Sequence, residues 1–266
     1  MYQLSVCAET VFRDLPFALR VEEIARAGFL AEFWGRGGSD IDAIERKMQD
    51  ERLIAISSMI GCDQGSIMHP EHVDCFLEGV RTRLLIAKRL RCQQLILLVS
   101  ELNSRAEPIY PLTYHPATTW ITAYEALCRV AELAEEHDVY YNLENLNTTD
   151  HPGYPLSRVE DCVRLVERVG SPRIRILLDL YHAQMEEGNA LQSILDYRDF
   201  IGYVHVADVP GRHEPGTGIV DYSSICQRLS EIGYEGVIGL EAFPMADDRK
   251  ALRTFREVFT SKSMRV

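Results

Sequence analysis

Short apolar runs and longer amphipathic runs alternate along the whole chain. Eight of the short runs are rich in aliphatic and β-branched residues, a composition typical of strands that are buried on both faces of a parallel sheet. We predict one strand in each of these runs. In chain order they are QLSVCAE, FLAEFWG, LIAISSMIG, QQLILLVS, DVYYNLENL, IRILLDL, GYVHVAD and GVIGLEAF.

Longer segments with helical periodicity separate nearly all of the predicted strands. The clearest of them span residues 15–29, 69–90, 116–138, 157–172, 222–236 and 245–260. Eight strands that alternate with helices, without a Pro- or Ser-rich linker, predict an α/β protein with one (β/α)8 barrel, the TIM barrel, as a single domain over residues 1–266. A doubly wound open sheet is the main alternative. It needs a glycine-rich phosphate loop after the first strand, and SVCAETVFRDLPF contains no glycine.

The charge balance narrows the class of partner. The chain of 266 residues carries a net charge of −12 at pH 7, which argues against nucleic acid and against an anionic membrane surface. A small anionic substrate stays compatible, because one local arginine can outweigh the overall charge. Seven scattered cysteines without a C-x-x-C pair, and an N-terminus without a secretion signal, predict free thiols and a cytoplasmic location. No run has the length of a transmembrane helix.

Polar groups end the last four predicted strands. These residues are Glu144, Asp179, His205 and Glu241. In a (β/α)8 barrel the carboxyl ends of the strands form the active-site face, so we expect the four side chains to converge. A buried carboxylate is costly unless it is paired or binds a metal. Three carboxylates and one imidazole suit a hard or borderline divalent ion, and we predict a site for Mn²⁺, Mg²⁺ or Co²⁺.

Each of these four residues also has a purely structural explanation when it is taken alone. An acid at a strand end commonly caps the next helix or pairs with an arginine. A histidine in a strand is commonly a hydrogen-bonded core residue. The occurrence of four such residues at equivalent places in four successive strands favours the metal site.

Three further residues lie where a substrate would make contact. His182 follows Asp179 by three residues, in the loop or first helical turn after the sixth strand. Arg212 lies in the loop DVPGRHEPGTG, which could close over a ligand and hold a carboxylate or a hydroxyl pair; a solvated loop arginine is the alternative. Trp34, beside Phe33, could form an apolar wall against a sugar face, although core packing is the commoner role of such residues.

Four long segments in the second half of the chain resemble a known family. They are NLENLNTTDHPGYPL, VGSPRIRILLDLYHAQMEEG, IGYVHVADVPGRHEPGTGIVDY and GYEGVIGLEAFP. On these segments, residues 142–244 resemble the hydroxypyruvate isomerase family, within the larger xylose isomerase-like barrel superfamily. The resemblance implies a metal-dependent (β/α)8 barrel that interconverts a small hydroxy-keto acid and its aldehyde isomer, of the hydroxypyruvate and tartronate semialdehyde type, through an enediolate. It also implies a homo-oligomer, a dimer or a tetramer.

Carried onto this chain, the resemblance implies that Glu144, Asp179, His205 and Glu241 bind the metal. Glu144 and Glu241 would also act as the acid–base pair. One position departs from the family pattern, since hydroxypyruvate isomerases usually carry glutamine where this chain has His205. Ketose 3-epimerases of the tagatose and psicose type carry histidine there, and they share the Asp-x-x-His arrangement of Asp179 and His182. Both substrate classes therefore stay open.

Three other functions stay open on the same scaffold. A metal-dependent lyase or decarboxylase could share all four ligands, and product analysis would distinguish it. An apurinic endonuclease needs more histidine ligands and binds DNA, which the net charge of −12 disfavours. A non-catalytic carbohydrate-binding barrel would not need two carboxylates poised for proton transfer.

Overall fold

The computed structural model describes residues 2–35, 38–50 and 54–260. Its strands are β1 (Gln3–Cys7), β2 (Leu30–Phe33), β3 (Ile56–Ile60), β4 (Gln94–Leu97), β5 (Tyr140–Glu144), β6 (Ile174–Asp179), β7 (Ile201–Val206) and β8 (Val237–Leu240). All eight are parallel and form a closed barrel in chain order, with β8 paired to β1. Each strand overlaps one of the predicted runs, which confirms the (β/α)8 barrel. Leu53, the first residue of the third run, lies outside the described residues.

Helices connect the strands and form the outer layer. They are α1 (Phe17–Arg26), α2 (Gly38–Asp50), α3 (Val73–Leu90), α4 (Pro116–Glu136), α5 (Val159–Val169), α6 (Leu180–Glu187), α7 (Ala190–Asp196), α8 (Tyr222–Glu231) and α9 (Asp248–Thr260). The six predicted helical segments are confirmed as α1, α3, α4, α5, α8 and α9. The sequence pattern did not resolve α2, α6 and α7, and the last two are too short for a clear period. No helix in the described ranges is long and apolar enough to cross a membrane.

Helix α5 illustrates how the sequence specifies this outer layer. Val159, Cys162, Val163 and Val166 recur at the spacing of one helical face and are buried. The helix ends at Val169 and is followed by Gly170, whose φ of 70° lies in the left-handed region that glycine adopts without steric cost. The chain then turns back into the barrel as β6.

A small apolar layer fills the inside of the barrel. Ile60, Ile96, Leu177 and Tyr203 form a buried cluster that is separate from the larger core between strands and helices. Ile60 and Ile96 of this layer also line a cavity at the carboxyl end of the barrel. The layer therefore closes the barrel beneath that cavity.

Asp208 holds the loop between β7 and α8. Its carboxylate oxygens accept hydrogen bonds from the backbone N–H groups of Val209 and Gly216, both at 2.9 Å. Gly218 passes so close to Val209 that a Cβ atom there would lie 2.1 Å from the carbonyl oxygen of Val209. The loop thus holds Arg212 over the strand ends, and the closing motion considered from the sequence is not needed to bring Arg212 into the site.

Candidate active site

Four ionisable side chains from neighbouring strands meet at the carboxyl end of the barrel. Glu144 and Asp179 are the last residues of β5 and β6. His205 lies in β7 opposite Asp179, and Glu241 directly follows β8. All four are buried, and one ligand atom of each lies within 4.8 Å of those of the other three. The strand order predicted this convergence.

The donor set of this cluster fits a divalent metal ion. Nδ1 of His205 lies 3.7 Å from Glu144 Oε1 and 3.5 Å from Glu241 Oε2, and it has no hydrogen-bond partner in the part of the chain that the structure describes. Buried polar atoms are normally paired, so an unpaired imidazole nitrogen between two carboxylates suits a metal ligand. Carboxylates at this separation repel one another unless a cation compensates them. Oxygen donors with one nitrogen suit Mn²⁺, Mg²⁺ or Co²⁺.

Asp179 caps a helix and also belongs to the cluster. Its Oδ1 accepts hydrogen bonds from the backbone N–H groups of Tyr181 at 2.8 Å and His182 at 3.4 Å, which caps helix α6. Its Oδ2 faces the cluster. Because the two oxygens face different partners, the capping bond does not remove Asp179 from the candidate metal site.

The structure brings His182 and Arg212 into the same site. Nε2 of His182, in the first turn of α6, lies 3.4 Å from Asp179 Oδ2. Nη2 of Arg212 lies 3.2 Å from the same oxygen and also donates to Glu241 Oε2. The guanidinium carbon lies 5.0 Å from the centre of the Tyr181 ring. Arg212 is therefore not a solvated loop residue, because its charge is buried between two carboxylates.

Trp34 lies at the edge of the cluster. It makes a polar contact that was not predicted from the sequence. Its indole Nε1 donates a hydrogen bond to Glu241 Oε1 at 2.6 Å. Trp34 also lines the cavity, whereas Phe33 is buried in the core and packs edge-on against Phe17. The predicted aromatic wall is thus formed by Trp34 without Phe33, whose side chain points to the opposite face of the strand.

A cavity of about 360 Å³, a size typical of small-molecule sites, is lined by two members of the cluster, Glu144 and Glu241. One wall is apolar and consists of Ile60, Ile96, Leu98, Leu102 and Leu146. The polar lining includes Trp34, Glu144, His151, His182, Arg212 and Glu241. Sequence reasoning did not single out His151, nor the further polar lining residues Asp63, Ser100 and Glu101.

The environment shifts the pKa values of Glu144 and Glu241 in opposite directions. Desolvation raises the pKa of Glu144 to about 7. Desolvation acts on Glu241 as well, but the charges of Arg212 and His205 outweigh it and hold the pKa of Glu241 well below its usual range. Two nearby carboxyl groups whose pKa values are pushed apart are typical of a paired acid and base.

Residues 21–258 match the sequence profile of a family described as Xylose isomerase-like TIM barrel. The chain belongs to this family. The match spans most of the barrel, from α1 to α9.

Two relatives of this xylose isomerase-like barrel are similar over nearly their whole length. A hydroxypyruvate isomerase from Escherichia coli (strain K12) is 25% identical over 260 residues, which cover 95% of this chain and 98% of that protein. A putative hydroxypyruvate isomerase from Streptomyces coelicolor is 30% identical over 269 residues, with coverages of 94% and 93%.

Solved structures share the same fold. A family 2 AP endonuclease from Brucella melitensis has a TM-score of 0.85 and 26% sequence identity, with coverages of 96% of this chain and 98% of that one. An L-ribulose 3-epimerase has a TM-score of 0.77 and 21% identity, with coverages of 96% and 92%. These structures show the fold alone, whereas the two named relatives support an enzyme of the isomerase class.

A buried glutamate that sequence reasoning missed lies behind His205. Glu32 of β2 has its Oε1 atom 3.0 Å from Nε2 of His205, the ring nitrogen that faces away from the cluster. Its other oxygen accepts a hydrogen bond from the Tyr203 hydroxyl. Gly239 provides the space, since a Cβ atom there would lie 2.5 Å from both carboxylate oxygens of Glu32. An acid within the apolar run FLAEFWG was the sequence feature that could have identified it.

A second acid, Glu9, holds the backbone that follows β2. Its Oε1 atom accepts hydrogen bonds from the N–H groups of Trp34 at 2.9 Å and Gly35 at 3.2 Å. Because the Trp34 indole in turn donates to Glu241, Glu9 positions the aromatic edge of the site. Desolvation raises the pKa of Glu9 to about 7.

The Glu9→Gln variant will gain stability relative to the unaltered protein as the pH rises. The ordinary pKa of 4.5 applies to the unfolded chain and about 7 to the folded protein. The stability that protonated Glu9 contributes is therefore fully present below pH 4.5 and is lost as the pH rises through about 7. Glutamine keeps the accepting oxygen and does not titrate, so the difference in unfolding free energy should change by about 3 kcal/mol across this window.

Urea unfolding of both proteins from about pH 4 to about pH 8 measures this difference. Glu78→Gln, at an exposed position of α3, is the matched control and should show no such trend. A difference between Glu9→Gln and the unaltered protein that stays constant with pH would contradict the raised pKa of Glu9.

Proposed function

We propose that the protein is a metal-dependent isomerase that interconverts a small hydroxy-keto acid and its aldehyde isomer, of the hydroxypyruvate and tartronate semialdehyde type, through an enediolate. The observation that carries this proposal is the buried pair Glu144 and Glu241, which belong to one cluster of potential metal ligands and line the cavity. The two relatives named hydroxypyruvate isomerase support the substrate class.

The residues that would hold the metal ion are Glu144, Asp179, His205 and Glu241. The unpaired Nδ1 of His205 and the inward-facing Oδ2 of Asp179 support this assignment. A bound divalent ion supplies a Lewis acid, which stabilises negative charge on the substrate oxygens while a proton leaves carbon.

Glu144 and Glu241 exchange the proton with the substrate. A hydrogen on a carbon beside a carbonyl is too weakly acidic for an unaided carboxylate to remove. Glu241 removes the proton from one carbon, and Glu144 returns a proton to the neighbouring carbon, while the hydroxyl proton of the first carbon moves to the former carbonyl oxygen. Proton exchange with solvent then returns Glu241 to its ionised form and Glu144 to its protonated form. In the reverse direction the two roles exchange.

Three side chains orient the reacting groups. The Trp34 indole N–H donates to one oxygen of Glu241 and thereby fixes the orientation of the Glu241 carboxylate. His182 reaches the substrate oxygens that lie next to Asp179. Nε of Arg212 is buried without a hydrogen-bond partner in the described chain, so a substrate carboxylate or oxyanion is a suitable acceptor for it.

A ketose 3-epimerase of the tagatose or psicose type is the second candidate. His205, in place of the glutamine usual in hydroxypyruvate isomerases, favours it, and the same glutamate pair serves it. The isomerase and the epimerase reactions differ in where the proton returns. Return to the opposite face of the same carbon inverts the configuration of that carbon, which is epimerisation. The fold does not choose between these reactions.

Proton NMR in D₂O tests both candidates. The Mn²⁺-loaded protein is incubated with hydroxypyruvate and with a panel of short ketoses, and a chelator removes the metal in a parallel sample. Deuterium entering beside the carbonyl, lost on chelation, is the expected result, and the product identifies isomerisation or epimerisation. Turnover of ketoses but not of hydroxypyruvate would favour the epimerase. Carbon–carbon cleavage products would indicate a lyase, and absence of exchange with every compound would overturn the proposal.

The Arg212→Ala variant separates a keto acid from a neutral ketose. A hydrogen bond to a charged group contributes more than one to a neutral group, so we expect kcat/KM to fall roughly 10–100-fold for hydroxypyruvate and clearly less for a ketose. Steady-state kinetics on both substrates measures the ratio. Arg164→Ala, at an exposed position of α5, is the matched control. Equal, small losses on every substrate would contradict a carboxylate clamp.

A further inference from the structure

His151 presents an unpaired acceptor to the cavity. Its Nδ1 atom lies 2.9 Å from the carbonyl oxygen of Ala106. A carbonyl oxygen only accepts, so Nδ1 carries the proton and Nε2 of the neutral ring carries a lone pair. His151 is 9% exposed and lines the cavity, and its Nε2 has no hydrogen-bond partner among the described residues. Burial lowers the pKa of His151, which keeps the ring neutral.

His182 is held in the opposite tautomer. Its Nδ1 accepts a hydrogen bond from the backbone N–H of Asn147 at 3.3 Å and lies 2.7 Å from the side-chain nitrogen of Asn147. The orientation of that amide follows from its oxygen, which accepts from the N–H groups of Thr149 and Asp150. Two donors on Nδ1 leave the proton of the neutral ring on Nε2. His182 therefore donates beside Asp179.

The two rings offer a substrate one donor and one acceptor side by side. Their centres lie 5.3 Å apart, and both Nε2 atoms are buried without a hydrogen-bond partner in the described part of the chain. A hydroxyl group can donate to His151, whereas a carboxylate oxygen has no proton and would face the lone pair of His151. The pair therefore favours a hydroxylated carbon at this position and disfavours a carboxylate.

We propose that His151 determines substrate specificity by accepting a hydrogen bond from a hydroxyl group outside the two reacting carbons. This inference rests on the proposed function and shifts its substrate class from hydroxypyruvate to longer compounds, a ketose or a hydroxy-keto acid of at least four carbons. Hydroxypyruvate has no such hydroxyl, because its remaining carbon is the carboxylate. It is therefore a poorer substrate than a longer hydroxylated compound.

Substrate pairs and two variants test this role. The ketose or keto acid that exchanges deuterium fastest is compared with analogues that lack one hydroxyl outside the reacting carbons. Asparagine at 151 keeps a donor for the Ala106 carbonyl but has no atom at the position of Nε2, and glutamine places an amide there. We expect the unaltered protein to prefer one hydroxylated substrate over its deoxy analogue roughly 10–100-fold in kcat/KM, because the deoxy compound leaves a buried acceptor unpaired.

In the His151→Asn variant, kcat/KM should fall for the hydroxylated substrate and stay unchanged for the deoxy analogue, so the preference between them is lost. The His151→Gln variant should retain part of this preference. His137→Asn, at an exposed position after α4, is the control and should keep the preference. Equal losses of His151→Asn on both members of the pair would indicate a merely structural residue and overturn the proposal. Lack of any preference in the unaltered protein would also overturn it.

Binding of an unreactive polyol tests the hydroxyl site independently of the proposed reaction. Xylitol has no carbonyl, so its affinity for the Mn²⁺-loaded protein, measured by calorimetry, does not depend on turnover. We expect His151→Asn to weaken xylitol binding about 10-fold. If no carbonyl compound exchanges deuterium but xylitol binding depends on His151, the reaction is wrong and the hydroxyl site stands. If the unaltered protein does not bind xylitol, or binds it as weakly as His151→Asn does, the hydroxyl site is wrong.

Nitrogen-15 NMR of labelled histidines examines the tautomers directly. We expect His151 to carry its proton on Nδ1 and His182 on Nε2, with each signal assigned through its loss in the corresponding variant. A proton on Nε2 of His151 would remove the proposed acceptor and overturn the inference.

Discussion

The Glu144→Gln variant will exchange deuterium about 10²–10⁴-fold more slowly than the unaltered protein at saturating Mn²⁺, the range typical of the loss of a general acid or base. Glutamine has nearly the size of glutamate and can still offer one oxygen to a metal, but it cannot carry the proton. Because Glu144 lines the cavity, its carboxyl group can exchange a proton with a bound substrate. The rate is measured by proton NMR in D₂O.

The amount of bound metal must be measured beside this rate, because Glu144 also belongs to the candidate metal cluster. A slow variant that retains one Mn²⁺ per chain has lost proton transfer, whereas a slow variant without Mn²⁺ has lost the site. Glu78→Gln serves as the control, since it makes the same chemical change on an exposed helix. Exchange within a few-fold of the unaltered rate, with metal bound, would show that Glu144 is not part of the acid–base pair.

The Glu32→Gln variant will bind Mn²⁺ about 10–100-fold more weakly than the unaltered protein, the effect typical of losing the carboxylate that orients a ligating histidine. Glu32 lies 3.0 Å from Nε2 of His205, and this contact directs Nδ1 of the ring toward Glu144 and Glu241. An amide in place of the carboxylate removes the negative charge that faces Nε2 of His205. It also lets the side-chain NH₂ face the ring.

Calorimetry or the electron paramagnetic resonance signal of free Mn²⁺ measures this affinity without any substrate. Tyr203→Phe removes the hydroxyl on the other oxygen of Glu32 and should have a smaller effect, because the carboxylate stays. Glu132→Gln, at an exposed position of α4, should leave the affinity unchanged. Unaltered Mn²⁺ affinity in Glu32→Gln would contradict the role of Glu32 behind His205.

The local pattern of the chain was sufficient for the fold and for the centre of the candidate site. Strand and helix periods are properties of a few consecutive residues, and eight alternations of the two leave few architectures besides the closed barrel. In a parallel barrel the carboxyl ends of all strands lie on one side. A residue at the end of a strand therefore already has its place in three dimensions, which is why Glu144, Asp179, His205 and Glu241 could be grouped before the structure was known.

The contacts that support and surround this centre depended on the tertiary structure. The bond between Trp34 and Glu241 joins residues 207 positions apart, and Glu32 meets His205 across the inside of the barrel. Such pairs depend on the twist of the sheet and on the depth at which each side chain lies, which no local period records. His151 shows the same limit, because its proton position follows from the Ala106 carbonyl in a loop 45 positions away. The sequence by itself determined which residues stand at the strand ends. The tertiary structure decided which atoms of those residues face a partner and which stay free for a ligand. The reason is that hydrogen bonds are directional and form only when distant segments have packed.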